Sequence, residues 1–509
     1  MGCGRSRVVT IEDTKKLVGD QIDINKANHM EKNKLINVDP KNKHGFAINN
    51  QMFVAENKHS ISHCYKFLEK LGEGSCSKVF KVMHLVTKEL RAIKIIKKDF
   101  AKYKDDDKKT VQEIHILSML DHPNIVKVYE YFTDDKFYYV VVELVQGGEI
   151  YEQLYSIRNF NERDASKIME QIFSAVFYLH SKGIVHMDLK PENMILDAQN
   201  RKDLTIKLID FGIANFYTKT KLTSKIGSSY FTAPEVINSN YDEKCDLWSC
   251  GVIMYILLSG NYPFEGKDEK EVVTSILRGK FSFSNSEWKG ISEEAKDLIR
   301  LLLKYKSVER ISAGEALKHP WIARHKSAEK IDLPKLSVDN FLLNISYKHK
   351  LQKMTIAYLV HQMSTNENLK MLRDIFMQMD SSGDGRLSLE DIKQGYSQFF
   401  GHSLSDHECE EILKEVDQDK SGYIEFEEFL RVTLKVETII TEKNLKIAFS
   451  FFDKNNSGRL SAEEIKVILG DKNPVDNEYI KSIIEEVDTN HDGLITFEEF
   501  KDLMKNIIS

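Results

Sequence analysis

At 509 residues, with 41% hydrophobic and 29% charged side chains, the chain is too long for one ordinary core, and two or three soluble domains are expected. No apolar run approaches the roughly 18 residues of a membrane-spanning helix. The six cysteines (Cys3, Cys64, Cys76, Cys245, Cys250, Cys409) show no paired zinc spacing and follow no secretory leader, so a reduced, intracellular protein is expected. The net charge of −6 is unevenly spread, with 16 basic and 30 acidic side chains from residue 371 on and 56 and 48 before it. An acidic tail on a basic body points to a cation-binding module or an electrostatic docking partner. No nucleic-acid partner is expected.

Met1-Gly2-Cys3-Gly4-Arg5-Ser6 matches the N-myristoylation pattern, with Gly2 as acceptor. One myristoyl chain holds a membrane only marginally. Palmitoylation of Cys3 and attraction of Arg5, Arg7, Lys15 and Lys16 to anionic lipid supply the second signal. This places the protein on the cytoplasmic face of a membrane as well as in the cytoplasm. Residues 1–60 are polar, rich in Asn and Lys and weakly periodic, and read as a flexible extension without chemistry of its own.

Globular patterning starts at Tyr65. Leu71-Gly72-Glu73-Gly74-Ser75-Cys76-Ser77-Lys78-Val79 reads as strand, glycine turn and strand, in which backbone amides approach phosphates closely. Ala92-Ile93-Lys94 lies in an alternating strand, and Glu113 in a helical run over 111–120. A near-continuous apolar strand at 138–142 leads into Glu143-Leu144-Val145 and Gly147-Gly148-Glu149. The stretch His186-Met187-Asp188-Leu189-Lys190-Pro191-Glu192-Asn193 brings a carboxylate, a lysine and an amide within eight residues. Phosphoryl transfer needs those groups together: an acceptor for a hydroxyl proton, a cation for phosphate oxygens and a magnesium ligand. Asp210-Phe211-Gly212 closes a strand rich in Ile and Leu, where an exposed magnesium ligand belongs. Ala233-Pro234-Glu235, Asp246-Leu247-Trp248 at the head of a long apolar helix, and His319-Pro320-Trp321 follow.

In this order, the motifs resemble those of protein kinases. The resemblance implies an α+β bilobal protein kinase fold over residues 65–322, with ATP and Mg2+ as cofactors. It implies Asp188 as catalytic base, Lys190 on phosphate charge, and Asn193 and Asp210 on the metal ions. Lys94 then holds the α and β phosphates with Glu113 as its ion-pair partner. Leu71, Gly72, Gly74, Val79, Ala92, Glu143, Val145 and Glu149 join the nucleotide site, with Val142 as gatekeeper. Arg310, in a region read as helical, resembles the buried partner of Glu235. Two positions depart from the pattern: Ser77 replaces the third glycine, and Met187 replaces an arginine that in many kinases grips a phosphorylated activation loop. The candidate loop sites are Thr218, Thr220, Thr223 and Ser224. Lys190 and Ser228 resemble serine/threonine kinases, and Glu149 and Glu192 suit protein substrates with basic residues near the phosphosite.

The tail repeats every 35 to 37 residues, from Asp380, Asp417, Asp453 and Asp488. Each repeat has the twelve-residue spacing of a calcium loop, with oxygen ligands at alternate positions and glycine at the sixth. The candidate Ca2+ sets are Asp380, Ser382, Asp384, Arg386 and Asp391; Asp417, Asp419, Ser421, Tyr423 and Glu428; Asp453, Asn455, Ser457, Arg459 and Glu464; and Asp488, Asn490, Asp492, Leu494 and Glu499. The seventh residue of each loop serves through its backbone carbonyl. Position eight is apolar in every copy (Leu387, Ile424, Leu460, Ile495), as paired loops require, so an all-α EF-hand domain with two pairs of EF-hands is expected over 371–509. Counting carboxylates, with Glu425 at position nine of the second loop, ranks loops two and four above one and three. In loop one, Asp391 replaces the usual twelfth-position Glu.

Between the modules, in 323–370, Phe341, Ile345, Leu351, Met354, Tyr358 and Leu359 recur at helical spacing among Lys348, Lys350 and Lys353. Such a basic amphipathic helix is either a ligand for a calcium-opened groove or a passive linker. A serine/threonine kinase joined by this helix to four EF-hands resembles the calcium-dependent protein kinase family over nearly the whole chain after the extension. That implies transfer of the ATP γ-phosphoryl group to protein Ser or Thr, inhibition by the junction at low calcium, and activation when the EF-hands load. Release of inhibition and active bracing both stay open. A monomer is expected.

Overall fold

Aromatic, aliphatic and β-branched side chains interleaved with lysines over residues 65–97 build three antiparallel strands, β1 (Tyr65–Glu73), β2 (Ser77–His84) and β3 (Leu90–Lys97). After the helix α1 (Lys104–Ser118), β4 (Val128–Thr133) and β5 (Phe137–Val142) complete a five-stranded sheet in the order β1-β2-β3-β5-β4. The computed structural model describes residues 48–57, 60–74, 77–98, 104–152, 159–197, 204–217, 229–326, 349–363, 367–400, 404–468 and 477–507. Lys94 pairs with Val79 on one side and Val140 on the other, and Ala92 pairs with Val142. Ala92 and Lys94 therefore share one face, while Arg91 and Ile93 take the other. That second face has its own core, with Tyr65, Val82, Ile93, Tyr129, Phe132 and Val141.

The larger lobe is helical. The helix α2 (Glu162–Ser181) starts at Asn161, whose side chain accepts from the Asp164 amide, and buries twelve of its residues. The helix α3 (Cys245–Ser259) is apolar around its circumference and wholly buried, and it ends at Gly260 with φ 72°, the left-handed cap that glycine adopts without penalty. Between them the chain runs through β6 (Ile184–Val185), the loop over 186–193, and the hairpin of β7 (Met194–Leu196) with β8 (Ile206–Leu208).

The junction helix α4 (Lys350–Gln362) is buried on nearly every side, not along one stripe as its amphipathic spacing predicts. Two partners explain this. On one side Tyr358 stacks on Phe451 at 4.2 Å and Gln352 Nε2 donates to the Leu503 carbonyl at 2.9 Å. On the other, Arg91 donates to the Gln362 carbonyl at 3.0 Å and the Tyr129 hydroxyl to that of Met363 at 3.3 Å. Phe341, Ile345 and Lys348 lie outside the described residues.

The tail folds as helix–loop–helix hands. Loops one and two join through Leu387 and Ile424, which exchange two backbone hydrogen bonds of 2.9 Å. Loops three and four join through two short strands, Arg459–Leu460 and Ile495–Thr496. Gly385, Gly422, Gly458 and Gly493 have φ between 77° and 85°, the conformation that demands glycine at position six.

A second stretch departs from the sequence expectation. Residues 48–57, read as part of a flexible extension, are packed: Ile48 is 2% and Phe53 1% exposed. Ile48 N–H donates to the Gln418 carbonyl in the second calcium loop at 3.1 Å. Phe53 packs against Tyr358 and His361 of α4, and Ala55 and Asn57 share backbone hydrogen bonds with Tyr131 of β4. Isolated apolar residues in a polar segment carry no periodicity, so this strap had no signature in the sequence.

Candidate active site

Lys94, set by the sheet, donates from Nζ to Glu113 Oε1 on α1 at 2.6 Å and to Asp210 Oδ1 at 2.9 Å. Burial works to lower the lysine pKa, but the two carboxylates outweigh it and raise it, so the ammonium stays charged. Asp210 is the mirror case: burial pushes its carboxyl up, while Lys94 and the Gly212 amide hold it below the usual range. Both hydrogen bonds from described residues fall on Oδ1, leaving Oδ2 for a metal ion.

Asp188 Oδ2 accepts from Lys190 Nζ at 2.6 Å and from Asn193 Nδ2 at 3.1 Å. Asn193 also donates to the Asp188 carbonyl at 2.8 Å, and its own carbonyl accepts from Ile209 N at 3.1 Å. The two metal-seeking groups are thus tied into one backbone frame. Hard oxygen donors from Asn193 and Asp210, beside the Lys94 ammonium, fit a magnesium–nucleotide complex.

The frame rests on Asp246, which the sequence showed only as the head of an apolar helix. Its carboxylate is fully buried and accepts from His186 N at 2.9 Å and Met187 N at 2.8 Å, with His180 Nε2 also at 2.9 Å. Burial would raise its pKa, but His180, His186 and these bonds hold it low. Met187 has φ 67°, a left-handed conformation unusual for a methionine, and its Sδ accepts from the Tyr241 hydroxyl at 3.4 Å. A lone carboxylate opening a wholly apolar helix was the available signal.

Other expected residues divide. Val79 and Ala92 flank Lys94 in the sheet register, Leu71 is 46% exposed on β1, and the Gly74 amide closes the glycine turn onto the Ser77 carbonyl at 2.8 Å. Glu143 does not face the cleft. Its side chain turns back to Lys207 Nζ at 2.8 Å and the Lys127 amide at 3.0 Å, so only its backbone remains for a nucleotide. Glu149 lies beside Glu152 and Glu192, and burial and then these two carboxylates raise its pKa. Arg310 forms a two-pronged ion pair with Glu235, at 2.5 and 3.1 Å, from extended backbone after a short 3-10 turn and not from a helix. Gly2, Cys3, Ser75, Cys76, Thr218, Thr220, Thr223, Ser224 and Ser228 lie outside the described residues.

Among the described residues, the second calcium loop gathers its carboxylates best: oxygens of Asp417, Asp419 and Glu428 lie within 4.8 Å of one another. All are hard donors at a calcium-loop spacing, so the donor set fits Ca2+. Glu425, ranked with this loop, is diverted. It contacts Lys182 Nζ at 2.6 Å and accepts from the Tyr178 hydroxyl at 3.0 Å, both on or just past α2. Loop one is braced internally, with Asp391 accepting from the amides and hydroxyls of Ser381 and Ser388 and Asp384 facing Arg386 at 3.5 Å. In loop three, Asp453 accepts from the Ser457 and Gly458 amides and Glu464 from that of Asn455. In loop four, Asp488 accepts from the Gly493 amide at 2.7 Å, and Asp492 pairs with Arg459 at 2.7 Å. Burial opposes the Glu499 charge, but bonds from Thr496 and Thr489 bring its carboxyl down to about 2.

The second hand also touches the sheet-bearing lobe and α4 through Glu427. This buried carboxylate meets Lys127 Nζ at 2.7 Å and His361 Nδ1 at 3.0 Å, and its amide donates to Asp121 at 2.7 Å. Sequence reasoning missed it, because position eleven of a calcium loop reads as the exposed start of a helix.

The description "Protein kinase domain" matches residues 65–322, and "EF-hand domain pair" matches 369–434 and 442–505. Calcium-dependent protein kinase 4 of Plasmodium falciparum (isolate 3D7) is 39% identical over 467 residues, 89% of this chain and 88% of that protein. Calcium-dependent protein kinase 3 of Plasmodium berghei (strain Anka) is 37% identical, over 86% of this chain and 79% of its own. With an assembled phosphoryl-transfer site, four calcium loops and relatives of this identity along most of its length, the chain belongs to the calcium-dependent protein kinase family.

Proposed function

We propose that the chain transfers the γ-phosphoryl group of ATP to protein Ser or Thr hydroxyls when its EF-hands bind calcium, with Asp188 taking the hydroxyl proton. Bound magnesium ATP supplies the phosphoryl group and the metal charge. Lys94 positions the phosphates, Asn193 and Asp210 hold the metal, and Lys190 offsets charge on the transferred group. The reading rests above all on the unbroken chain Glu113–Lys94–Asp210. The experiment is phosphorylation of a basic serine peptide with magnesium ATP, with and without calcium. Calcium should raise the rate, Asp188→Asn should abolish it, and Glu428→Gln should shift its calcium midpoint upward; a rate indifferent to calcium would refute the reading.

For the switch, the junction inhibits at low calcium, and one observation favours active bracing once calcium is bound. α4 lies on the Arg91 face of the sheet, opposite Lys94, while the second hand engages Asp121, three residues beyond the end of α1. A docked module thereby fixes the helix that carries Glu113. The chain acts as a monomer, and acylation of Gly2 and Cys3 carries it to the cytoplasmic face of a membrane. Loss of membrane partition in Gly2→Ala tests the acylation.

A further inference from the structure

Three parts of the chain enclose a cavity of about 470 Å3 that the catalytic chemistry does not use. The strap contributes Phe53, the turn between β2 and β3 Val86, α4 Tyr358, and the helix Glu442–Phe452 of the third hand Ile447, Ser450 and Phe451. Its size is that of a small-molecule site, and these side chains give it a largely apolar wall. The polar lining is lopsided. Its carboxylates are engaged: Glu130 accepts from Asn57 Nδ2 at 2.8 Å and the Tyr65 hydroxyl at 2.6 Å, Asp453 from the Ser457 and Gly458 amides, and Glu56 has a partner too. Its cations are less well matched. Arg91 meets a carboxylate only at 3.8 Å, and that one is the shared Glu130. Lys454 Nζ lies 3.9 Å from the centroid of the Phe451 ring and pairs with no carboxylate among the described residues. His84 Nδ1 accepts from the Thr87 amide at 3.1 Å. Burial, then Arg91, Lys443 and Lys88, bring the His84 pKa down to about 4, so the ring is neutral and its Nε2 carries the hydrogen.

Unmatched donors beside an apolar wall select an anion with an apolar body, because a charge-assisted hydrogen bond is stronger than one to a neutral acceptor. A cation would meet only carboxylates that are already engaged, and a neutral apolar molecule would leave the donors unmatched. We propose that this cavity binds a small organic anion, a carboxylate or phosphate monoester on an apolar body, with its head group held by Lys454 and His84 in the field of Arg91. The walls come from the sheet, α4 and the third hand, so the cavity exists only while the calcium module is docked. An anion that binds the docked state alone lowers the calcium needed to populate it. That last step rests on the reading that calcium drives docking; the binding itself does not.

The test is calorimetry on the full chain with saturating calcium and magnesium ADP, which fills the nucleotide site. The probes are naphthoate, naphthyl phosphate and the neutral naphthamide. At least one anion should bind about tenfold tighter than the amide, and the tighter of the two names the head group. Lys454→Met should remove that advantage and leave the affinity for the amide unchanged. Ser450→Trp, which fills the cavity from an exposed position on its helix, should abolish binding of all three. If Ser450→Trp does not dock its calcium module, Val86→Trp, 56% exposed in the β2–β3 turn, must block the site instead. At about ten times its Kd the tighter anion should lower the calcium midpoint for amide protection in α4 about two- to threefold. A midpoint unmoved by a bound anion contradicts the calcium linkage and leaves the site standing. No binding of either anion at millimolar concentration, equal affinity for the amide, or binding untouched by the tryptophan variants overturns the site.

Discussion

Asp246 touches no reactant, yet it fixes two consecutive amides of the catalytic loop and holds Met187 in a conformation its side chain disfavours. Asp246→Asn keeps the shape but loses the charge and one acceptor, and should cost about 2–4 kcal/mol of kinase-lobe stability by denaturant unfolding, with kcat falling further than KM rises. Met187 makes a second prediction. Its thioether rests against Tyr241 and offers no cation to a phosphate. Replacing Thr218, Thr220, Thr223 and Ser224 together by Ala should leave most calcium-stimulated activity, and an enzyme dead at saturating calcium would contradict this. At this scale the sequence was informative wherever chemistry fixes residue type and spacing, as for Lys94, Asp188 and Asp210. It did not show that the side chains of Glu143 and Glu425 engage Lys207 and Lys182 with Tyr178. Local spacing does not encode such long-range competition.

Among elements, the calcium loops and the sheet were legible because period, glycine and β-branching are local. The all-round burial of α4 and the strap at 48–57 were not, since both follow from surfaces contributed by three parts of the chain. Phe53 sits at that junction, against Tyr358 and His361. Phe53→Ala should weaken docking of the calcium module by up to about 3–5 kcal/mol, read as faster amide exchange in α4 at saturating calcium. The Glu427 cluster adds a pH dependence. Burial lowers the His361 pKa, with Arg91 and Lys127 adding to it and Glu427 opposing; Glu427 is itself held low, as Lys127 and His361 overcome its burial. Both folded-state values lie below the unfolded ones, so their stabilisation is full above the ordinary histidine pKa of about 6.5 and is lost as pH falls. Protection factors in α4, which divide out the intrinsic pH dependence of amide exchange, should fall between about pH 7.5 and 5.5, and His361→Phe should remove the histidine share.

On the scale of the whole molecule, the acidic tail does more than bind cations. Glu425 and Glu427 meet Lys182 and Lys127 of the kinase domain, so part of the tail's acidic charge forms a docking surface. Calcium can drive this docking only through a difference in affinity between docked and undocked states, and the shared second hand provides the physical link. Removing everything after Lys326 separates bracing from simple release of inhibition. A folded truncation with calcium-independent activity well below that of the calcium-saturated full chain, and not lowered further by a peptide spanning residues 333–362, is the predicted result. A truncation as active as the calcium-loaded full chain and inhibited by that peptide would contradict bracing.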